Sequence, residues 1–285
     1  MCPSKKERNE IFMKCVSIIG GDNRNLILSN LLKEEGYTVF RFGLGTEEKS
    51  MEECIKESNF IITATPFSLD AENIYSPLVD KKINIQKFID LIHNKTIIAG
   101  SISEEYINKF SCNGNRVVDI MKDNNLVIKN TIPTAEGVVK IIIENTNITI
   151  NDSNIAILGF GRVGKRLAKV LNGMGANIFC LDTKKEEVAN IERCGYNILK
   201  DIYKELTSMD VIVNTVPKQI LGKNEINSIN KSTLIIDVSS KPGGVDFEYA
   251  NQNGYNVIHA LGLPGKIAPV TSAKYIKEIV ENLIV

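Results

Sequence analysis

Three glycines near the middle of the chain, Gly159, Gly161 and Gly164, have the G-x-G-x-x-G spacing of a dinucleotide-binding turn. Each does something a side chain would obstruct. The first permits a tight turn out of a strand, the second lets backbone amides approach a pyrophosphate, and the third lets the following helix pack on the sheet. The anion then sits at a helix N-terminus, where unpaired N–H groups and the helix dipole favour negative charge. The flanking sequence suits such a turn: an apolar strand over 154–158 precedes it, a helix over 162–171 follows, and a strand over 177–181 leads to Asp182. An acid at that distance accepts the ribose 2′-hydroxyl of NAD and repels the 2′-phosphate of NADP. Phe160, Arg162 and Val163 complete the turn, Thr183 follows the acid, and Lys184 and Lys185 come next, so NAD is favoured and use of both nucleotides is expected.

In open parallel sheets the ligand lies beyond the carboxyl ends of the strands, so the residues just after each strand are the candidates for chemistry. Five such stretches are polar or glycine-rich: 20–24, 65–68, 100–103, 239–246 and 262–266. Arg24 and Lys241 are the leading cations for an anionic substrate, with Lys266 third, although each could equally be a solvated surface charge. Ser101 and Ser103, with Thr65 and Ser68 beside them, offer hydroxyls, and serine or threonine at a strand end also makes turns. Thr134 and Glu136 are expected to head a helix, where Glu136 would either accept a proton or simply complement the dipole. Asp246, after a Gly-Gly pair, is the alternative base or else a helix cap. Thr215, Val216, Pro217 and Ser239 follow the later strands and are expected to contact the cofactor. His259 also follows a strand, but a lone histidine there is more often structural than catalytic. The early turn Gly20-Gly21-Asp22-Asn23-Arg24 lacks the full glycine spacing and puts charges where a phosphate would lie, which suits a substrate surface better than a second cofactor.

Two sets of alternating elements position these residues. In the first half, strands are predicted over 14–19, 37–42, 60–64 and 96–99, with another over 126–128, and helices over 24–35 and 47–57. In the second half, strands over 154–158, 177–181, 197–199, 211–214, 234–237 and 256–259 alternate with helices over 162–171, 184–194, 202–207 and 247–253. Such alternation implies mainly parallel sheets with right-handed crossovers. The fold class is therefore α/β, two Rossmann-like doubly wound parallel-sheet domains joined by linking helices. We place an N-terminal substrate or catalytic domain at 1–133 and an NAD(P)-binding domain at 134–271. An amphipathic helix over 272–285 is expected to pack back on the first domain. Pro133 and Thr134, as first residue and cap, suggest that the linking helix begins there.

Composition narrows the partners. The chain has 34 basic and 34 acidic side chains in 285 residues and no long block of one sign, which argues against nucleic acid or an anionic membrane as partner. No apolar run reaches the ~20 residues of a membrane helix. The six cysteines are scattered and only two histidines occur, so reduced thiols in a cytoplasmic protein are expected, and no metal site. Residues 1–13 are polar and expected to be a frayed start or a short cap.

The motifs in their order carry a more specific signal: GGDNR (20–24), IPTAEG (132–137), LGFGRVG (158–164), NTVP (214–217), SSKPGGVDFEYA (239–250) and GLPGKIAP (262–269). Together they resemble the dehydrogenase-like, A-type subunits of dipicolinate synthase along nearly the whole chain, and LPGKIAPVTS (263–272) more distantly resembles alanine dehydrogenases. The resemblance implies oxidation of a dihydrodipicolinate, a cyclic dicarboxylate, to dipicolinate with NAD or NADP during sporulation, in the cytoplasm of the mother cell. It also implies a flavoprotein-like, B-type dipicolinate synthase subunit as partner. Another NAD-linked dehydrogenase, for instance of a 2-hydroxy acid, and a non-catalytic nucleotide-binding regulatory protein stand as alternatives, and self-association is left open.

Overall fold

The computed structural model describes residues 15–45 and 49–284. The polar start at 1–13, Lys14, the first residues of the helix predicted over 47–57, and Val285 lie outside them. The chain divides into two compact units, one made of the residues up to Lys129 together with those from Ala268 on, the other of Asn130–Ile267.

The first unit is built on five parallel strands, β1 (Cys15–Ile19), β2 (Thr38–Phe42), β3 (Phe60–Ile62), β6 (Thr96–Ala99) and β7 (Arg116–Asp119), in the order β2-β1-β3-β6-β7. A short antiparallel ribbon, β4 (Asn73–Ile74) with β5 (Ile83–Asn84), forms within the connection from β3 to β6. Runs such as CVSII and TIIA are apolar on both faces, as strands covered by helices on both sides must be. Ile19, Ile61 and Ile97 face a cluster with Phe67, Phe88 and Phe110, while Ile18, Ile62 and Ile98 face Leu28 and Leu32. The second cluster is completed by helix Pro269–Ile284, which contributes Ala273, Ile276, Val280 and Ile284. Lys277 of that helix also pairs with Glu35 at 2.5 Å and with Glu281 at 3.2 Å.

The second unit has six parallel strands, β8 (Asn154–Leu158), β9 (Asn177–Leu181), β10 (Asn197–Ile198), β11 (Val211–Asn214), β12 (Leu234–Asp237) and β13 (Asn256–His259). Their order, β10-β9-β8-β11-β12-β13, is that of a Rossmann domain. Alternate residues of β8 divide between two cores: Ile155 and Ile157 pack with Val138, Ile142, Leu167 and Leu171, while Ala156 and Leu158 pack with Leu206, Ile212 and Ile226. In each parallel sheet the strand order reverses once, between β1 and β3 and between β8 and β11, and these are the switch points where ligands bind in such folds.

Two local expectations are overturned. The strand predicted over 126–128 is the first turn of a long helix, Asn124–Asn145. The Asp123 carboxylate accepts the Leu126 N–H at 2.9 Å, and Leu126 is buried while Ile128 is half exposed, so capping and one-sided burial override the β preference of the Leu-Val-Ile run. Pro133 consequently lies inside that helix, where it can donate no N–H to the preceding turn, and Thr134 is no cap. The Thr134 hydroxyl donates back to the Asn130 carbonyl at 2.7 Å. Glu136 does not head the helix either, but sits exposed in its second half. The strand actually formed nearby, β7, is a short, half-buried edge that lacked an apolar signature.

Ile276→Ala should destabilise the first unit by about 3 kcal/mol, the range for an isoleucine truncated in a packed core. Urea denaturation should show a lower midpoint; an unchanged midpoint would separate the final helix from that core.

Candidate active site

The glycine turn of the second unit fits a dinucleotide. Gly159 has φ +96°, and a Cβ there would lie 2.5 Å from Val216 Cγ2 and 2.6 Å from Thr215 Oγ1. At Gly164 a Cβ would stand 2.0 Å from the Gly159 carbonyl oxygen, so only glycine lets the helix Arg162–Gly173 start so close beneath the turn. Gly161 is different, because a Cβ on it would meet nothing within 4 Å. It is the N-cap of that helix and places no capping side chain over the first N–H groups, which leaves them to an anion. The Phe160 ring is buried and meets Tyr196 edge-on, anchoring the turn from below. Arg162 is exposed and Val163 is half-buried on the first helical turn.

Asp182, half-buried just past β9, accepts the Phe160 N–H at 2.8 Å through one oxygen and the Lys184 N–H at 2.9 Å through the other. Its carboxylate is thereby fixed beside the turn with lone pairs left for ribose hydroxyls. Thr183 and Lys184 are exposed. Across the switch point, the Thr215 hydroxyl bonds the Leu158 and Gly159 carbonyls, both at 3.1 Å, so Thr215 ties the two strand ends together.

The ends of β11 and β12 carry a fully buried polar pair that strand patterning did not single out, Asn214 and Asp237. Asn214 donates to Asp237 Oδ1 at 3.0 Å and to the Val216 carbonyl at 3.0 Å, and its own Oδ1 accepts the Val216 N–H at 3.2 Å. Asp237 also accepts the N–H groups of Ser239 at 2.8 Å and Gly244 at 2.7 Å. The available signal was a polar residue closing each apolar run, VIVN and LIID. Ser239 is buried, whereas Lys241 is exposed at the loop tip, joined to Pro242 by a cis bond. His259 stacks on Phe247 at 4.6 Å and approaches the Ser239 carbonyl at 3.3 Å, a supporting position behind the loop. Asp246 accepts the Tyr249 N–H at 3.0 Å as the N-cap of helix Phe247–Gln252. Lys266 is exposed on helix Leu263–Ile267.

In the first unit the superficially similar turn at Gly20 is closed. The Gly21 N–H donates to the Tyr75 carbonyl at 2.7 Å, and the Arg24 N–H to its own cap, Asp22, at 2.9 Å. Asn25 fills the space above Gly21, where a Cβ would come within 2.2 Å of it. Two of the N–H donors a pyrophosphate would use are thus consumed. Arg24, 6% exposed, spans the Asp22 carboxylate through Nε and Nη2 and also donates from Nη2 to the Thr65 carbonyl, which leaves the Nη1 amino group for a ligand. Tyr75 completes this corner. Burial, and then the charge of Asp22, push its hydroxyl above the ordinary tyrosine pKa, with Arg24 opposing. Ser101, exposed at φ +54°, donates its N–H to Asp119 at 2.9 Å, and Ser103 caps helix Glu104–Cys112.

Among the described residues no group of His, Cys, Asp or Glu converges as a metal site, no cysteine forms a disulfide, and no helix is long and apolar enough to cross a membrane.

Comparison with known proteins agrees with this geometry. Residues 15–121 match the N-terminal domain of A-type dipicolinate synthase subunits, and residues 140–242 match the NAD-binding domain of D-isomer specific 2-hydroxyacid dehydrogenases. The A-type dipicolinate synthase subunit of Bacillus subtilis is 28% identical over 94% of this chain and 95% of its own length. The crystal structure of the corresponding subunit from Bacillus halodurans superposes with a TM-score of 0.87 at 27% identity, covering 96% of this chain and 99% of that one. An L-alanine dehydrogenase shares the fold, with a TM-score of 0.61 at 14% identity over 94% of this chain and 89% of its own. Fold and site define an oxidoreductase, an NAD(P)-dependent dehydrogenase with a Rossmann nucleotide domain. Within that class, the resemblance to the A-type subunits of dipicolinate synthase that the motifs suggested is borne out by sequence and by structure.

The two glycines beside the pyrophosphate position should separate folding from binding. Gly161→Ala should melt with the wild type yet bind NADH at least about tenfold more weakly. Gly164→Ala should lose about 1–3 kcal/mol of stability as well as binding, because its methyl group has no room. Thermal melts and NADH fluorescence titrations on both variants check this.

Proposed function

We propose that this chain is the dehydrogenase component of a dipicolinate synthase, oxidising a dihydrodipicolinate to pyridine-2,6-dicarboxylate with NAD or NADP. The observation that carries this reading is the similarity to the Bacillus subtilis A-type dipicolinate synthase subunit over 94% of the chain. The second unit, Asn130–Ile267, is on this reading the nucleotide domain, and the first the substrate domain. When bound, NAD(P)⁺ supplies the hydride acceptor. The substrate ring loses a hydride and a proton and becomes aromatic, so the protein has mainly to orient the ring and accept one proton.

A dicarboxylate calls for cationic or N–H donors. Lys241, at the tip of its loop, and Arg24, through Nη1, are the cations we assign to the two carboxylates, with Lys266 as an auxiliary. Ser101 adds a hydroxyl at a strand end, whereas the Ser103 hydroxyl caps a helix and that of Thr134 bonds a helix carbonyl. Of the two candidate bases, Asp246 already holds the Tyr249 N–H, and exposed Glu136 is the one we assign to accept the proton. The geometry of Asp182 favours NAD. A flavoprotein-like, B-type partner and the mother cell of a sporulating bacterium as setting follow from the same resemblance. The 2-hydroxyacid dehydrogenase match at residues 140–242 supports a second reading, in which the substrate is a 2-hydroxy acid.

The test combines the chain with its B-type partner, freshly generated dihydrodipicolinate, and NAD or NADP, and follows dipicolinate absorbance. Product should form faster with NAD; no product with either nucleotide would overturn the reading, and NAD reduction by a 2-hydroxy acid would favour the second. Lys241→Ala should raise the substrate KM about tenfold or more while leaving NADH affinity unchanged, the pattern of a lost substrate contact. Asp182→Asn, which removes the charge that repels a 2′-phosphate, should raise kcat/KM with NADP relative to NAD about tenfold.

A further inference from the structure

The loop that carries Lys241 hangs from one carboxylate. Asp237 is wholly buried, and its two oxygens take hold of the two ends of the excursion: Oδ1 accepts the Ser239 N–H at 2.8 Å and Oδ2 the Gly244 N–H at 2.7 Å. Asn214 donates to the same Oδ1, and Asn214 is also paired in both directions with the backbone of Val216, in the turn that crosses the switch point. Glycine is required where the loop closes. A Cβ on Gly244 would lie 2.3 Å from Asn214 Nδ2 and 2.6 Å from the Val216 carbonyl, and one on Gly243, at φ +93°, would lie 3.1 Å from Asp237 Oδ2. The outgoing side is held as well, since the Gly244 carbonyl accepts N–H groups from Ile220 and Leu221 at 2.9 and 3.0 Å.

Among the described residues the partners of the Asp237 carboxylate are all N–H groups, to which it is the acceptor. A buried carboxylate with its hydrogen bonds satisfied is tolerated, whereas one left short of donors is costly. Its three donors come from the end of β11 and from both ends of the loop, so the carboxylate is satisfied only while all three hold their places. We propose that Asp237 is a positioning residue that fixes the Ser239–Gly244 loop, and with it the Lys241 ammonium, against the Thr215–Pro217 turn. Its effect on the reaction passes through Lys241. This role rests on the reading above, in which Lys241 meets a substrate carboxylate and the Thr215–Pro217 turn meets the cofactor.

The substitution Asp237→Asn keeps the shape but replaces one acceptor oxygen with an amino group facing an N–H donor. Steady-state kinetics with the B-type partner and dihydrodipicolinate should be measured for D237N, K241A and the double variant, with NADH binding alongside. D237N should raise the substrate KM about tenfold, and the double variant should be no worse than K241A alone, the non-additivity of residues acting as one unit. NADH affinity should stay within about twofold, because the bonds between Asn214 and Val216 remain. Additive penalties, or an unchanged KM, would overturn the positioning role while leaving the functional reading intact. Absence of turnover in the wild type would overturn the functional reading and the role given to Lys241 together. Amide hydrogen exchange on the wild-type chain tests the clamp without any variant: the Ser239 and Gly244 amides should exchange at least about a hundredfold more slowly than those of Ser240 and Lys241. Equal exchange along the loop would overturn the proposal.

Discussion

The C-terminal ends of parallel strands must release the chain into loops without leaving buried backbone groups unpaired, and in this protein side chains with oxygen acceptors meet that requirement. Asp119 ends β7 and accepts N–H groups from Ser101, past neighbouring β6, and from Met121 in its own exit. Asp182 does the same for β9 and its neighbour β8, through Lys184 and Phe160. Asp237 holds its own exit through Ser239 and is joined to neighbouring β11 through Asn214. Each carboxylate thus belongs to one strand and also binds the exit of the strand beside it. Loops at these edges are held relative to one another as well as to their own strands, which is the precision a hydride transfer needs.

The two switch points show opposite uses of similar sequence. At Gly159–Gly164 the helix N-terminus is left uncapped, with open space over Gly161. At Gly20–Arg24 the Gly21 and Arg24 amides are occupied by Tyr75 and Asp22, and the Arg24 guanidinium is oriented by a part-buried ion pair with Asp22. Removing Asp22 would leave the buried guanidinium without its counter-charge, so the pair holds Arg24 in place.

Much of this was legible in the chain. The glycine spacing, the apolar strands and the acid at Asp182 follow from local rules, and the structure places them as those rules require. What sequence could not reveal were the partners of polar groups. Arg24 looks like a free charge in a sequence and in the structure it holds Asp22, whereas Asp246 takes the helix-cap alternative that its place after Gly-Gly already offered. Asp237 and Asn214 look like the polar edges of apolar runs, and their role depends on strands adjacent in space. Only the first half of the helix Asn124–Asn145 is hidden in the sequence, because Val127, Ile128 and Pro133 carry local signals against a helix there that capping and burial nonetheless impose, while the helix expected from Pro133 onward is present.

The membership of helix Pro269–Ile284 in the first unit has a consequence for how the molecule is made. A unit whose core needs residues from both before and after its companion cannot be completed in order of synthesis. The continuous segment Asn130–Ile267 emerges whole from the ribosome while its companion still lacks a helix, so the nucleotide-binding half is free to mature first. The earlier-synthesised half lacks part of the cluster around Leu28 and Leu32 until Ile276 and Val280 arrive.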